Sequence, residues 1–302
     1  MFNGKKKIIL GSRKSPLARK QVEIFKKSFF EKFSNYPKDF FKEIYLSTKG
    51  DLVIDKKLSE IGNKGLFTKE IDNAQIKNKI DISIHSLKDL PYKLPDGLII
   101  GGYLSREDYR DAIISPKNET ISKIKEGSNI GTSSLRREIQ LKIIRPDLKI
   151  NIIRGNIQTR IKKVLNGSYD ATLLAMAGLK RLEIKDKANP LNINDFIPAV
   201  GQGIIALVVR ADDQTFIELA DKVTDVNSKI EALSERSFLH GIDGSCQTPV
   251  GALALLQKNK ILFHYFASNR DGSIYKKGKK YVSIKTCEEE CYKIGKSLSK
   301  IL

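Results

Sequence analysis

The chain reads as an α/β protein made of doubly wound domains with largely parallel sheets. Three observations predict this. Strand-like runs alternate with helical ones along most of the length, and the first helical run carries a clean apolar stripe. The 302 residues, 40% of them hydrophobic, also suffice for two or three domains with real cores.

The elements follow in order. KKIILGS (6–12) is a short apolar strand ending at Gly11 and Ser12. PLARKQVEIFKKSFFEKF (16–33) is a helix, because Ala18, Val22, Phe25, Phe29 and Phe33 recur at helical spacing. Ser15 is placed to cap it, and Pro16 suits its first position. KEIYLST (42–48), DISIHS (81–86) and GLIIGGYL (97–104) read as strands. SNIGTSS (128–134) leads into the helix LRREIQLKII (135–144), whose stripe of Leu135, Ile139 and Ile143 leaves Arg136 and Arg137 off the buried face. KINIIRG (149–155) leads in the same way into NIQTRIKKVL (156–165), and DATLLA (170–175) and IIALVVR (204–210) are further strands.

Composition narrows the function. The amino terminus is basic with only a few consecutive apolar residues, too few for an export signal, and no later stretch approaches a membrane span; a cytoplasmic location is expected, with no membrane partner. Three cysteines, at 246, 287 and 291, make no disulfide framework. The net charge of +19 raises the question of a polyanionic partner. The lysines are scattered, however, with no zinc-finger spacing, no aromatic RNA-binding strand and no basic heptads, so no nucleic-acid partner is expected.

The arginines are placed rather than scattered. In doubly wound domains ligands bind beyond the carboxyl ends of the strands. Arg13 and Ser15 follow the first strand; Thr132, Ser133, Ser134, Arg136 and Arg137 follow SNIG; Arg154 and Gly155 end another, with Arg160 one turn into the next helix. Two cations in a helix's first turn oppose its dipole, a placement that makes sense if an anion sits there. Together these residues predict a ligand with several negative groups. Carboxylates are favoured over phosphates, because GSRKSPLARK lacks the glycine and lysine spacing of a P-loop.

Ser86, Lys88 and Asp89 lie beyond DISI, and Asp89 is the candidate for catalysis: a carboxylate among arginines stays ionised and can balance a cation or move a proton. GNKGLF, with Lys64 and Phe67, suits a lid. Cys246 stands in the loop DGSCQTPVGA with no pairing partner in sight. Cys287 and Cys291, four apart in CEEEC, are expected to be thiols without metal, and His85 and His240 local hydrogen-bonding residues.

Ten stretches in order, GSRKSPLA, STKGD, GNKGLFTKEID, DISIHSLKDLP, SREDYRDA, IGTSSLRR, IIRGNIQTR, LLAMAGLKRL, PAVGQG and DGSCQTPVGA, resemble the porphobilinogen deaminase family over nearly the whole chain. The resemblance implies an enzyme that condenses four porphobilinogen molecules with loss of ammonia on a covalent dipyrromethane and then releases hydroxymethylbilane by hydrolysis. It implies that Cys246 carries the dipyrromethane as a thioether, where no paired thiol is required. It implies that Asp89 holds the pyrrole N–H groups, and that Ser86, Lys88, Thr132, Ser133, Ser134, Arg136, Arg137, Arg154 and Gly155 bind the cofactor. Arg13, Ser15, Arg160, Arg181 and Gln202 would serve the substrate, and Lys64 and Phe67 the lid.

The same resemblance implies two lobes like those of periplasmic binding proteins, residues 1–104 with 201–221 and residues 105–200, plus a smaller α+β domain at 222–302 carrying Cys246, in a monomeric protein. Hinges would fall near SREDYRD and IPAVGQG. Two departures, Ser245 where glycine is commoner and Gln158 at a variable site, remove no functional group. A solute-binding protein that closes on an anion without chemistry leaves Cys246 unexplained.

Overall fold

The computed structural model describes residues 7–52, 65–185, 188–244 and 248–302. Elements are numbered in chain order. β1 (Ile8–Arg13), α1 (Pro16–Lys32), β2 (Phe41–Leu46), the single turn α2 (Lys49–Leu52), α3 (Lys69–Ile76), β3 (Ile82–Ser86) and β4 (Leu98–Tyr103) come first. Next are β5 (Asp111–Ile114), β6 (Asn129–Gly131), α4 (Leu135–Ile144), β7 (Lys149–Asn151), α5 (Ile157–Leu165), β8 (Ala171–Ala175), α6 (Met176–Arg181) and the two-residue β9 (Asn189–Pro190). β10 (Ile205–Arg210), α7 (Gln214–Lys222), α8 (Val226–Gly241), β11 (Val250–Gln257), β12 (Lys260–Ser268), β13 (Tyr275–Ser283) and α9 (Cys287–Leu298) complete the chain.

Two compact units emerge. One comprises the chain up to Leu52, the stretch ending at Arg106, and Ile204–Lys229; the other comprises Glu107–Gly203 and Ile230–Leu302.

In the first unit the sheet runs β2-β1-β3-β10-β4. β1 pairs parallel with β2 and β3, as expected, but β10 is antiparallel to both β3 and β4. The expectation of a largely parallel sheet is therefore corrected to a mixed one. An apolar run such as IIALVVR specifies burial on both faces, and its direction is decided by where the chain enters the sheet. Helices cover both faces. Val22, Phe25 and Phe29 of α1 and Phe216 and Leu219 of α7 pack with Ile8, Leu10, Ile82 and Ile84 on one. On the other, Gln75 of α3 accepts from Ser83 Oγ (2.7 Å) and donates to the carbonyls of Asp81 (3.0 Å) and Val208 (2.8 Å), so a buried amide joins helix to sheet. The α1 cap is as the sequence predicts: Ser15 accepts from Ala18 N, with Pro16 behind it.

The second unit holds two sheets. The five-stranded one runs β7-β6-β8-β5-β9, with β6 parallel to β7 and β8, and β5 antiparallel to β8 and β9. Leu141 of α4 packs on the side of Ile113, Ile130 and Leu173, whereas Leu179 of α6 and Ile157 of α5 pack on the side of Ala112, Ile114 and Leu174. The three-stranded sheet β11-β12-β13 is an antiparallel meander. Phe238 of α8 and Cys287, Cys291 and Leu298 of α9 pack against its Ala252, Phe263 and Val282. Both cysteines are buried free thiols, and burial raises the Cys291 thiol well above its ordinary range.

Candidate active site

In the first unit, the ends of β1 and β3 and the start of α1 enclose a pocket lined by Arg13, Ser15, Gln21, Phe67, His85, Ser86, Lys88 and Asp89, among others. Local sequence explains the placement. β1 ends on Arg13 just before the Ser15 cap, and β3 runs straight into a single tight turn, Leu87–Asp89, whose Leu87 is buried while Lys88 and Asp89 remain accessible. Arg13 is the pivot. Its guanidinium lies 3.6 Å from Asp89, pairs with Asp51 through Nε (3.4 Å) and Nη2, and stacks 4.4 Å from the centre of the Phe67 ring. Burial pushes the Asp51 carboxyl up, but the Arg13 bond and charge and the Thr48 hydroxyl outweigh it and hold Asp51 below its ordinary value.

Gln21 was not picked out from the sequence. It is buried, lines the pocket, and donates to Ser86 Oγ at 2.7 Å, fixing that hydroxyl in the same pocket wall as Asp89. The available signal was a glutamine adjoining Val22 on the apolar stripe of α1. The Nε2 of His85 is buried and has no hydrogen-bond partner. Burial, and secondarily the charge of Arg13, depress its pKa to about 3, so the ring is neutral.

In the second unit, Thr132, Ser133 and Ser134 follow β6, and Arg154 and Gly155 follow β7. Ser134 caps α4 by accepting from Arg137 N, and Ser133 Oγ donates to the Ile153 carbonyl at 2.6 Å. Gly155 has φ of +113° and backs onto Thr159, so a side chain there is both strained and crowded. Arg160 Nε donates to the Gly155 carbonyl at 2.8 Å.

The expectation that Arg136 and Arg137 lie off the buried face is overturned. They are 4% and 7% exposed. Both pair with Asp111, itself 0% exposed: Arg136 at 2.8 Å, Arg137 at 2.7 and 3.0 Å. Arg136 also donates to the Ile197 carbonyl and Arg137 to the Leu173 carbonyl. The reason is that α4 is covered on two sides: Leu141 faces the sheet, and Ile139 packs with Ile197 and Phe266. A buried charge requires a partner, and Asp111 at the head of the apolar strand DAII supplies it. Two guanidinium groups on one carboxylate leave a surplus positive charge, which suits an anion. Gln202 belongs to the same knot, donating to Tyr109 O (2.8 Å) and Asp111 Oδ1 (3.1 Å). Arg181 donates to the Gly203 carbonyl at 2.6 Å, and burial lowers its pKa to about 10 against the opposing charge of Glu107. Lys64 and Cys246 lie outside the described residues.

Two family models cover nearly all of the chain: the dipyrromethane cofactor binding domain of porphobilinogen deaminase matches residues 8–218, and the porphobilinogen deaminase C-terminal domain matches residues 229–302. The chain belongs to the porphobilinogen deaminase family. A porphobilinogen deaminase of Carboxydothermus hydrogenoformans is 42% identical over 301 residues, 99% of this chain and 94% of that protein. One from Campylobacter concisus is 41% identical over 257 residues, 84% of this chain and 82% of its own. Among solved structures, a probable amino-acid ABC transporter extracellular-binding protein of Bacillus subtilis aligns with a TM-score of 0.42 at 12% identity, covering 72% of this chain and 90% of that one. That likeness is too distant to add to what the sheets themselves show. In the deaminase family frame, the pocket residues Arg13, Ser86, Lys88 and Asp89 and the strand-end residues Thr132 to Arg137, Arg154 and Gly155 all fall inside the stretch matched by the cofactor-binding domain.

Proposed function

We propose that this chain is a porphobilinogen deaminase, a transferase of tetrapyrrole biosynthesis that condenses four porphobilinogen molecules head to tail on a dipyrromethane primer and releases hydroxymethylbilane by hydrolysis. The observation that carries the reading is the pocket at the ends of β1 and β3, where one accessible carboxylate, Asp89, stands beside a guanidinium, an ammonium and three serine side chains within the cofactor-domain match.

These residues fit a polycarboxylate pyrrole. Each pyrrole unit carries an acetate and a propionate, for which Arg13, Ser15 and Lys88 in one unit, and Arg136, Arg137, Arg154, Arg160 and Arg181 in the other, offer donors. Asp89 accepts from the pyrrole N–H. As the aminomethyl carbon loses ammonia, the C–N bond breaks and a methylene-pyrroleninium cation forms. Asp89 balances that charge with a carboxylate already oriented before the reaction, which is where preorganised electrostatics act. A C–C bond then forms at the methylene carbon and the α-proton leaves. When bound, the dipyrromethane supplies the pyrrole α-carbon from which the chain grows; Cys246 is the residue we assign to hold it, with Ser86, Thr132, Ser133, Ser134 and Gly155 among its binding groups. Gln202 steadies the Asp111 knot, and Lys64 and Phe67 border the substrate.

The division into 1–104 with 201–221, 105–200 and 222–302 belongs to the same reading and is supported by three separate sheets. No helix among the described residues is long and apolar enough to cross a membrane. We place the enzyme in the cytoplasm as a monomer. Incubation with porphobilinogen, following ammonia and hydroxymethylbilane, tests the assignment. Wild type is expected to form both, and Asp89→Ala to retain the cofactor while losing at least about 100-fold in kcat, the scale of a positioned charged or proton-transferring group. Near-wild-type turnover in Asp89→Ala contradicts the role given to Asp89.

A further inference from the structure

His85 is the pocket residue for which neither the fold nor the mechanism above finds a use. It lines the pocket with Arg13, Ser86 and Asp89. It is 4% exposed, and its Nε2 is buried with no hydrogen-bond partner. Strand β3 is tied to α3 by Ser83, which donates to Gln75, without help from the His85 Nε2. An unpartnered buried nitrogen is destabilising in the protein alone and calls for a compensating role.

The other polar groups of the pocket narrow that role. Arg13 and Lys88 can only donate, and both suit ligand carboxylates. The Gln21 amide nitrogen is engaged with Ser86, and its oxygen is one further acceptor in the pocket. Ligand N–H groups need acceptors: a porphobilinogen offers a pyrrole N–H and an aminomethyl nitrogen, and Asp89 is assigned above to the pyrrole N–H. A histidine that took up a proton here would repel the passing cation. Burial and the neighbouring Arg13 charge prevent that, leaving a lone pair on a neutral ring.

We propose that His85 is a second acceptor for the N–H groups of the pyrrole unit held by Asp89, a binding residue of the same pocket. The inference rests on the deaminase reading. His85→Leu is the test, because leucine fills the space without the orphaned nitrogen. Measurements are made on protein whose intact mass shows two linked pyrroles. Expected are a melting temperature equal to or above wild type and a fall in kcat/KM for porphobilinogen of about threefold to tenfold, the scale of one net hydrogen bond. A purely structural histidine moves the melting temperature and leaves kcat/KM unchanged, and that result overturns the proposal. Should His85→Leu not fold, 15N shifts of the His85 ring in wild-type holoenzyme decide: a change on adding porphobilinogen supports the proposal, and no change refutes it. Wild type that forms no hydroxymethylbilane sinks the deaminase reading itself, whereas normal turnover in His85→Leu sinks this inference alone.

Discussion

Arg13 shows how much one side chain organises: it touches Asp89, Asp51 and Phe67 at the mouth of a single strand. Sequence made its position legible, since a polar run after an apolar strand is where ligands bind in such domains. Its partner Asp51 was not legible, because nothing in the string GDL announces a contact 38 residues away. Asp111 was missed for a similar reason: at the head of an apolar strand it looks like a turn residue, and only the fold shows it between Arg136 and Arg137. Asp72 on α3 makes a testable case of the opposite kind. It is buried, its Oδ1 has no partner, and burial raises its pKa from 3.8 to about 6, with Thr68 opposing and Glu70 adding. A folded pKa above the unfolded one gives stability that is present below about pH 4 and lost as pH rises through about 6. Asp72→Asn is therefore expected to raise the melting temperature by about 2–4 °C at pH 8 and to leave it unchanged at pH 4. Equal effects at both pH values rule out the carboxylate's charge as the cause.

At the scale of elements, periodicity located α1, α4 and α5 and most strands, because apolar spacing reports burial directly. It did not report strand direction, so β10 came out antiparallel to β3 and β4 where largely parallel pairing was expected, and the short β5 was not read as a strand at all. Nor did it show the second covered side of α4, which depends on Phe266 from a distant strand. The crossing of α8 and α9 is equally invisible in the string. Gly241 of α8 lies against the Tyr292 carbonyl, and Gly295 of α9 against the Phe238 carbonyl, so neither position has room for a Cβ. These backbones approach closely because both contact residues are glycine. Gly295→Ala is expected to destabilise folding by about 2 kcal/mol or more, since a packed crossing must open to admit the methyl. Urea unfolding measures it, and a change below about 0.5 kcal/mol contradicts so tight a crossing.

For the whole molecule, the +19 charge says little by itself, whereas the distribution of buried arginines says much. Cover over α4 and the Asp111 carboxylate account for the burial of Arg136 and Arg137, and the positive charge left over suits a polycarboxylate ligand. The central claim is that chemistry is primed by two linked pyrroles on Cys246. Intact mass spectrometry of active enzyme measures this directly. The account predicts an added mass of two linked pyrroles that disappears in Cys246→Ser together with turnover. Active enzyme with the mass of the bare polypeptide would contradict it.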